Sequence, residues 1–392
     1  MRNETRGRQI IFKAAFIALC ILCVEGTAGL GLVMLGYGAY QPGAAPVAAI
    51  KANPLHANPV RSEKHPWGAW GIPNAVSRHI KECFDVEYRF NSFGARDAER
   101  TETAPASGRR WLVLGDSFVE GFGISASERI TNELEKRLGK EFLNFGMSGS
   151  LGPLQYLLLY RELAQKFEHD GLIVGFLASN DFTDNNVTYW METYGAAHAR
   201  RYRPYLVSDA NGRSIRYGFA GEGVPRDDLN EPPPLASPAS PAVDTSTGLQ
   251  RLIRTISQWS TTVTLARHVR KRMSPGAERG GYFVDDRDLI ADAKWAMSEL
   301  ATAAGNRKRI VLVFPGDADL HRRAKTSKTG SVEFNSFLSD LRRSGWTVID
   351  TAEAFEPLQR GADITLGCDP HWNARSNQRV VDYLIARHSD KF

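Results

Sequence analysis

The sequence predicts an α/β fold in which a parallel sheet is covered by helices on both faces. Three observations carry this. Short apolar runs of strand type alternate with segments of helical period. Those runs lack a polar alternate face, as strands buried on both sides do. Finally, 392 residues at 42% apolar and 24% charged are globular in composition and long enough for one large domain with extensions.

The chain opens with a basic stretch. Residues 1–13 carry Arg2, Arg6, Arg8 and Lys13 against one acid, Glu4, and read as a cytoplasmic tail. Residues 14–37 read as a transmembrane anchor or a cleaved signal peptide. Ala14 to Val24 is unbroken apolar sequence, Ala14 to Leu35 is long enough to span a bilayer, and the charge asymmetry places the rest of the chain outside. Glu25 within the span would cost about 2.5–3.5 kcal/mol. Gly26-Thr27-Ala28 supplies the small residues of a cleavage site. Both readings export the body, and an anchor makes the protein a single-pass inner-membrane protein with its main domain in the periplasm. Cys20 and Cys23 lie inside the apolar run and read as membrane-buried residues.

Residues 38–75, rich in Pro, Ala and Gly, are predicted as a linker to a domain over 76–392. Its strands are expected at Trp111–Leu114, Phe142–Phe145, Gly171–Ala178, Ile310–Phe314 and Trp346–Ile349. Helices are expected at Ser127–Leu138 (capped by Ser127), Leu154–Phe167, 286–303, 332–343 and 374–388. Residues 182–285 break the rhythm and read as an insertion over the sheet's ligand edge. They hold a hairpin from Arg203 to Tyr217 turned at Asn211-Gly212, a Pro-rich stretch from Glu231 to Ala242, and a helix from Leu249 to about Met273 with a basic end.

Four short stretches carry chemistry. Leu112-Val113-Leu114-Gly115-Asp116-Ser117-Phe118 delivers a serine at the carboxyl end of strand one, where open α/β sheets bind ligands. There Ser117 is either a nucleophile, its N–H helping to hold an oxyanion, or a helix cap. Asn144 to Ser150 is a small-residue loop after strand two, in which the backbone N–H of Gly149 can approach an oxyanion. The same loop nearly matches G-x-S-x-G with Ser148 as nucleophile, but Ser150 stands in the fifth position, which ranks Ser148 behind Ser117. Ala178-Ser179-Asn180-Asp181 offers the Asn180 amide as an oxyanion donor or an Asx turn. Cys368-Asp369-Pro370-His371-Trp372-Asn373 offers His371 as general base and Asp369 as its orienting acid. None of the eight other histidines has such a neighbourhood.

Taken in order, these stretches resemble the SGNH (GDSL) hydrolase superfamily over about 110–181 and 305–388. Asn91-Ser92-Phe93-Gly94-Ala95-Arg96-Asp97 resembles the N-x-x-G-x-R-D segment of its membrane-anchored bacterial members, in which an acidic residue within the anchor is also common. The resemblance implies a flavodoxin-like three-layer α/β/α sandwich with a five-stranded parallel sheet. It makes Ser117 the nucleophile, Asp369 and His371 its acid and base, and Ser117, Gly149 and Asn180 the oxyanion donors. The spacing D-x-H departs from the common D-x-x-H and matches the superfamily's exported polysaccharide O-acetylation proteins, with Asp363 a distant substitute for Asp369.

The implied function is an exported serine esterase acting on small acyl, notably acetyl, esters of an envelope polysaccharide or exopolysaccharide. The alternatives are a polysaccharide O-acetyltransferase with the same site and a non-catalytic scaffold module. Expected partners are an acylated carbohydrate, the inner membrane and polysaccharide-assembly proteins. A net charge of +5 with scattered Arg does not imply nucleic acid. No cofactor or metal is expected. Gly121-Phe122-Gly123-Ile124-Ser125-Ala126 begins too far past strand one for a dinucleotide fingerprint, and no zinc-spaced set, HExxH or P-loop appears. Aromatic residues of the insertion, Tyr189, Trp190, Tyr202 and Tyr205, are expected either as a sugar platform or as the insertion's own packing. Cys83 and Cys368, exported into an oxidising compartment, are expected as a disulfide or as two separate thiols.

Overall fold

The computed structural model describes residues 61–105, 109–149, 151–186, 189, 203–209, 212–217, 279–356 and 364–392, with 20, 23–27, 30 and 262 beside them. Residues 1–53 and 237–276 form one unit, and 54–236 with 277–392 form another.

Two hairpins precede the sheet. β1 (Arg61–His65) pairs antiparallel with β2 (Gly68–Gly71). The predicted linker is therefore too long. Trp67 and Trp70 are buried, and the Trp70 indole donates to the Phe93 carbonyl at 2.8 Å and stacks on Phe145, so the fold begins by Arg61. β3 (Val76–Lys81) pairs with β4 (Phe84–Arg89) around a two-residue turn, Glu82-Cys83. Its charged residues alternate with buried His79 and Tyr88.

The sheet and its helices follow. β5 (Arg110–Gly115) leads into a single turn, α1 (Ser117–Glu120). Next come α2 (Ile130–Leu138), β6 (Glu141–Gly146), α3 (Pro153–Glu162), β7 (Gly171–Leu177) and the short α4 (Ala178–Asp181). A hairpin, β8 (Tyr205–Asp209) and β9 (Gly212–Arg216), precedes α5 (Arg287–Ala304), β10 (Lys308–Phe314), α6 (Asp317–Thr326), α7 (Val332–Arg343) and β11 (Thr347–Asp350). The two-residue β12 (Thr365–Leu366) pairs with β13 (Asp369–Trp372), and α8 (Ala374–His388) closes the chain.

The five strands run parallel in the order β11-β10-β7-β5-β6, so the three-layer α/β/α sandwich is as expected. α3, α5 and α7 cover one face, and α2 and α8 pack together on the other. β5, β6 and β7 are buried almost throughout, which explains their unbroken apolar sequence.

Two further expectations shift, and a third holds. The segment expected to start a helix at Ser127 forms a 3-10 turn, Ala126–Glu128, in which the Glu128 carboxylate accepts from the Ser125 amide; α2 begins at Ile130. The insertion is narrower than 182–285. Phe182 packs against Phe176 and Phe337, and at the far end Tyr282 and Val284 are fully buried, with the Tyr282 hydroxyl donating to Asp350 at 2.6 Å. The β8–β9 hairpin lies where predicted and packs on the helices. Gln155 of α3 donates to the Pro204 carbonyl, and Arg213 pairs with Asp292 of α5. The Pro-rich stretch, most of the 249–273 helix and Asp363 lie outside the described residues.

Most of segment 14–37 is likewise outside them; Cys20, residues 23–27 and Leu30 are helical, and the Thr262 amide donates to the Glu25 carboxylate at 3.2 Å. Cys20 and Cys23 are free thiols. Among the described residues no helix is long and apolar enough to cross a membrane.

Candidate active site

Ser117 stands where β5 gives way to α1. Asp116, not Ser117, is the helix cap: its carboxylate accepts from the Phe118 amide at 2.9 Å. The Ser117 hydroxyl is thereby left for other work, and its Oγ lies 2.7 Å from His371 Nε2. The other imidazole nitrogen, Nδ1, meets Asp369 Oδ1, which also accepts the His371 amide at 3.1 Å.

The two-residue spacing of Asp369 and His371 follows from local structure. Both sit on β13, where successive side chains point to opposite faces, so residues i and i+2 share one face and Pro370 between them points away. Burial pushes the Asp369 carboxyl up, but the hydrogen bonds from His371 and Lys81 win and hold it well below the usual carboxylate range. An ionised carboxylate only accepts, so Nδ1 carries the ring proton. Nε2 is then a lone pair facing the Ser117 hydroxyl.

The loop after the serine is clamped by the N-x-x-G-x-R-D segment. The Arg96 guanidinium donates to the carbonyls of Glu120 at 3.0 Å, Gly121 at 2.5 Å and Ile124 at 2.7 Å. Asn91 folds its own turn, accepting from the Ala95 amide and donating to the Ala98 carbonyl. Gly94 sits at φ +85°, and a Cβ there would come within 2.4 Å of the Gly71 carbonyl oxygen, so a side chain is barred twice over. Asp97 accepts from Arg100 and from the Asn144 amide of β6. This segment thus ties the first hairpins to the turn that carries Ser117. In the same region the Phe122 ring stacks on the His371 imidazole, with centroids 3.9 Å apart.

The oxyanion candidates are placed at the carboxyl ends of three adjacent strands. The Ser117 N–H opens the α1 turn, where no carbonyl lies a turn behind to accept it. Gly149 lies three residues past β6 with φ +118°. The Asn180 Nδ2 donates to Asp116 Oδ2 at 3.2 Å, which leaves it a second N–H, and its Oδ1 is buried with no hydrogen-bond partner among the described residues. Burial raises the Asp116 carboxyl to about 6 and pushes Asp181, bonded to the Tyr156 hydroxyl, well above its ordinary value.

Ser148, the rival nucleophile, has its hydroxyl engaged away from His371. It is buried and donates to Glu120, whose carboxylate also pairs with Arg61 at 2.5 Å. Gly146 earlier in that loop serves packing, since a Cβ there would lie 2.2 Å from the Glu120 backbone nitrogen. Of the aromatic platform, Tyr205 is buried in β8, which favours packing; Trp190 and Tyr202 lie outside the described residues. Among the described residues no cluster of His, Cys, Asp and Glu could hold a metal ion.

Sequence reasoning missed Lys81. Its ammonium meets Asp369 Oδ2 at 2.5 Å from the end of β3. One neighbour of this contact was legible: Cys83 and Cys368 form a disulfide with Cα atoms 5.7 Å apart. A small cleft of about 10 Å3 borders Ser117 and His371, lined also by Phe118, Phe122, Trp372 and Asn377.

The chain is similar in structure to SGNH (GDSL) hydrolases. One is AlinE4, an SGNH-hydrolase family esterase (12% identity, covering 73% of this chain and 98% of that one, TM-score 0.30). Another is a member of the lipolytic protein G-D-S-L family from Veillonella parvula (12%, 72% and 99%, TM-score 0.32). A third is a family two carbohydrate esterase from Clostridium thermocellum in complex with cellohexaose (12%, 74% and 66%, TM-score 0.34). No protein-family model matches the chain, and no curated protein does. The site's own distances carry its chemistry. They line up a hydroxyl, an imidazole and an ionised carboxylate in the order needed for a serine to attack a carbonyl.

Proposed function

We propose that the protein is an exported serine ester hydrolase that removes small acyl groups, most simply acetyl, from an envelope polysaccharide or exopolysaccharide. The observation that carries the reading is the unbroken hydrogen-bonded chain from Ser117 Oγ through His371 to Asp369 at the sheet's carboxyl edge. As Oγ attacks the ester carbonyl, His371 Nε2 takes its proton and Asp369 stabilises the imidazolium that forms. The Ser117 and Gly149 amides and the Asn180 amide receive the developing oxyanion. The imidazolium then protonates the departing alkoxide. Water, activated by the same imidazole, attacks the acyl-serine and releases the acid.

The Cys83–Cys368 bond accords with folding in an oxidising compartment, and the basic N-terminus with an inner-membrane anchor facing the periplasm. The test is acetate release from an acetylated oligosaccharide by the full chain, with Ser117→Ala as control. Acetate release equal in Ser117→Ala would overturn the mechanism. Transfer of the acetyl to an added sugar, faster than its release to water, would assign the site to a transferase instead.

A further inference from the structure

We propose that Lys81, on the hairpin that precedes the catalytic sheet, is a positioning residue of the Ser117–His371–Asp369 relay, fixing the Asp369 carboxylate and moderating its charge on His371. The proposal rests on the hydrolase reading above.

Asp369 spends its two oxygens separately. Oδ1 takes the imidazole Nδ1–H and the His371 amide, while Oδ2 takes the Lys81 ammonium. The Asp369 side chain is 7% exposed and that of Lys81 is 35% exposed, so the ammonium reaches in from the rim to an oxygen that water hardly touches. Without Lys81, Oδ2 would be a buried acceptor lacking its partner, and rotation of the carboxylate would let it compete with Oδ1 for the imidazole. The lysine is itself held in place. Two residues on, Cys83 is bonded to Cys368, the residue before Asp369, so the two ends of the ion pair lie beside a covalent bridge. Lys81 also lies 4.9 Å from the centre of the Phe122 ring, which stacks on the His371 imidazole.

Among the described residues, the other charged and ionisable groups that reach this cluster include Asp116, just past the end of β5, His79, two residues back on β3, and the Arg61 and Arg96 guanidiniums near His79. His79 is held neutral near pH 7: burial first, then the charges of Arg61 and Lys81, lower it to about 4. Lys81 is the cation in direct contact with Asp369. Its removal leaves the full negative charge beside His371, which favours the imidazolium and moves the acid limb of kcat/KM to higher pH.

The experiment compares full-length wild type with Lys81→Met and Lys81→Arg on a small chromogenic acetate ester. Lys81→Met is expected to lower kcat about 10–100-fold, as loss of a hydrogen-bonded partner does for side chains that ligate a catalytic metal. KM should stay within about twofold, because the lysine does not touch substrate, and the acid limb should rise by about one pH unit. Lys81→Arg should restore the limb and most of kcat. An unmoved limb in Lys81→Met, whether kcat is kept or lost, overturns the proposal. If wild type turns over no ester, the hydrolase reading fails by itself. The His371 ring titration, followed by NMR and assigned with His371→Gln, then decides the point for Lys81: an upward shift in Lys81→Met supports it, and none refutes it.

Discussion

Breaking the Cys83–Cys368 bond should cost both stability and turnover, and the two losses should separate. The bond joins residues 285 apart in sequence. The chain-entropy relation for a loop of that size gives a ceiling of about 5–6 kcal/mol, and native bridges commonly deliver about 2–4 kcal/mol of such a figure. For a folded unit of about 300 residues, unfolding carries roughly 0.6 kcal/mol per kelvin, so a loss of about 3 kcal/mol lowers Tm by about 5 °C. Because Cys368 directly precedes Asp369, turnover should fall even well below Tm as the hairpin bearing Lys81 loosens from the catalytic strand. The assay pairs thermal melts with ester hydrolysis for the chain before and after reduction and for a paired Cys83→Ser, Cys368→Ser variant. Denatured without reductant, the chain should expose two reactive thiols, Cys20 and Cys23, and four after reduction. Four thiols without reductant, or a paired variant unchanged in both Tm and turnover, would refute the reasoning.

Other expectations follow from the site and its surroundings. Ser117→Ala and His371→Ala should each cost at least about 10³-fold in kcat/KM, whereas Ser148→Ala should leave fluorophosphonate labelling on Ser117; labelling that follows Ser148 would reverse the assignment. Asn180→Ala should cost about 10²–10³-fold, the price of one oxyanion donor, with kcat falling more than KM rises. His79 is 1% exposed and its imidazole is lowered to about 4, so stability is full above pH 6.5 and is lost as pH falls from there toward 4, by about 3 kcal/mol. His79→Phe should flatten that slope in urea melts taken across the range. A reporter fused after Phe392 should be active only outside the cytoplasm, and the chain should stay with membranes through a high-salt wash; a mature form beginning near Gly29 would show a cleaved signal peptide instead.

What was legible in the sequence was whatever is buried on a regular period. β5, β6, β7 and β10 read directly as apolar runs, and α7 and α8 as amphipathic stretches whose observed bounds match the expected ones. The β1–β2 and β3–β4 hairpins did not, for opposite reasons. The first hides Trp67 and Trp70 among Gly and Pro, the composition of a linker. The second is charged along both strands, with its buried side resting on His79 and Tyr88. α6 was missed because Leu320 is its one buried apolar side chain; the buried Asp319 and Arg323 give it no hydrophobic period. In the site, Ser117, Asp369 and His371 were visible as motif residues. The Lys81–Asp369 pair spans 288 residues of sequence, and a lysine in a charged hairpin gives no local sign of its partner.

The strand that carries Asp369 and His371 constrains how such a site can vary. One residue inserted between the two would turn the imidazole to the opposite face of β13, and the relay would be cut although every chemical group remained. The acid–base interval cannot drift from two to three by a single step; it changes only if the backbone there stops being a strand. A search pattern that demands two intervening residues between acid and base therefore selects for a different local backbone, and passes over chains built like this one.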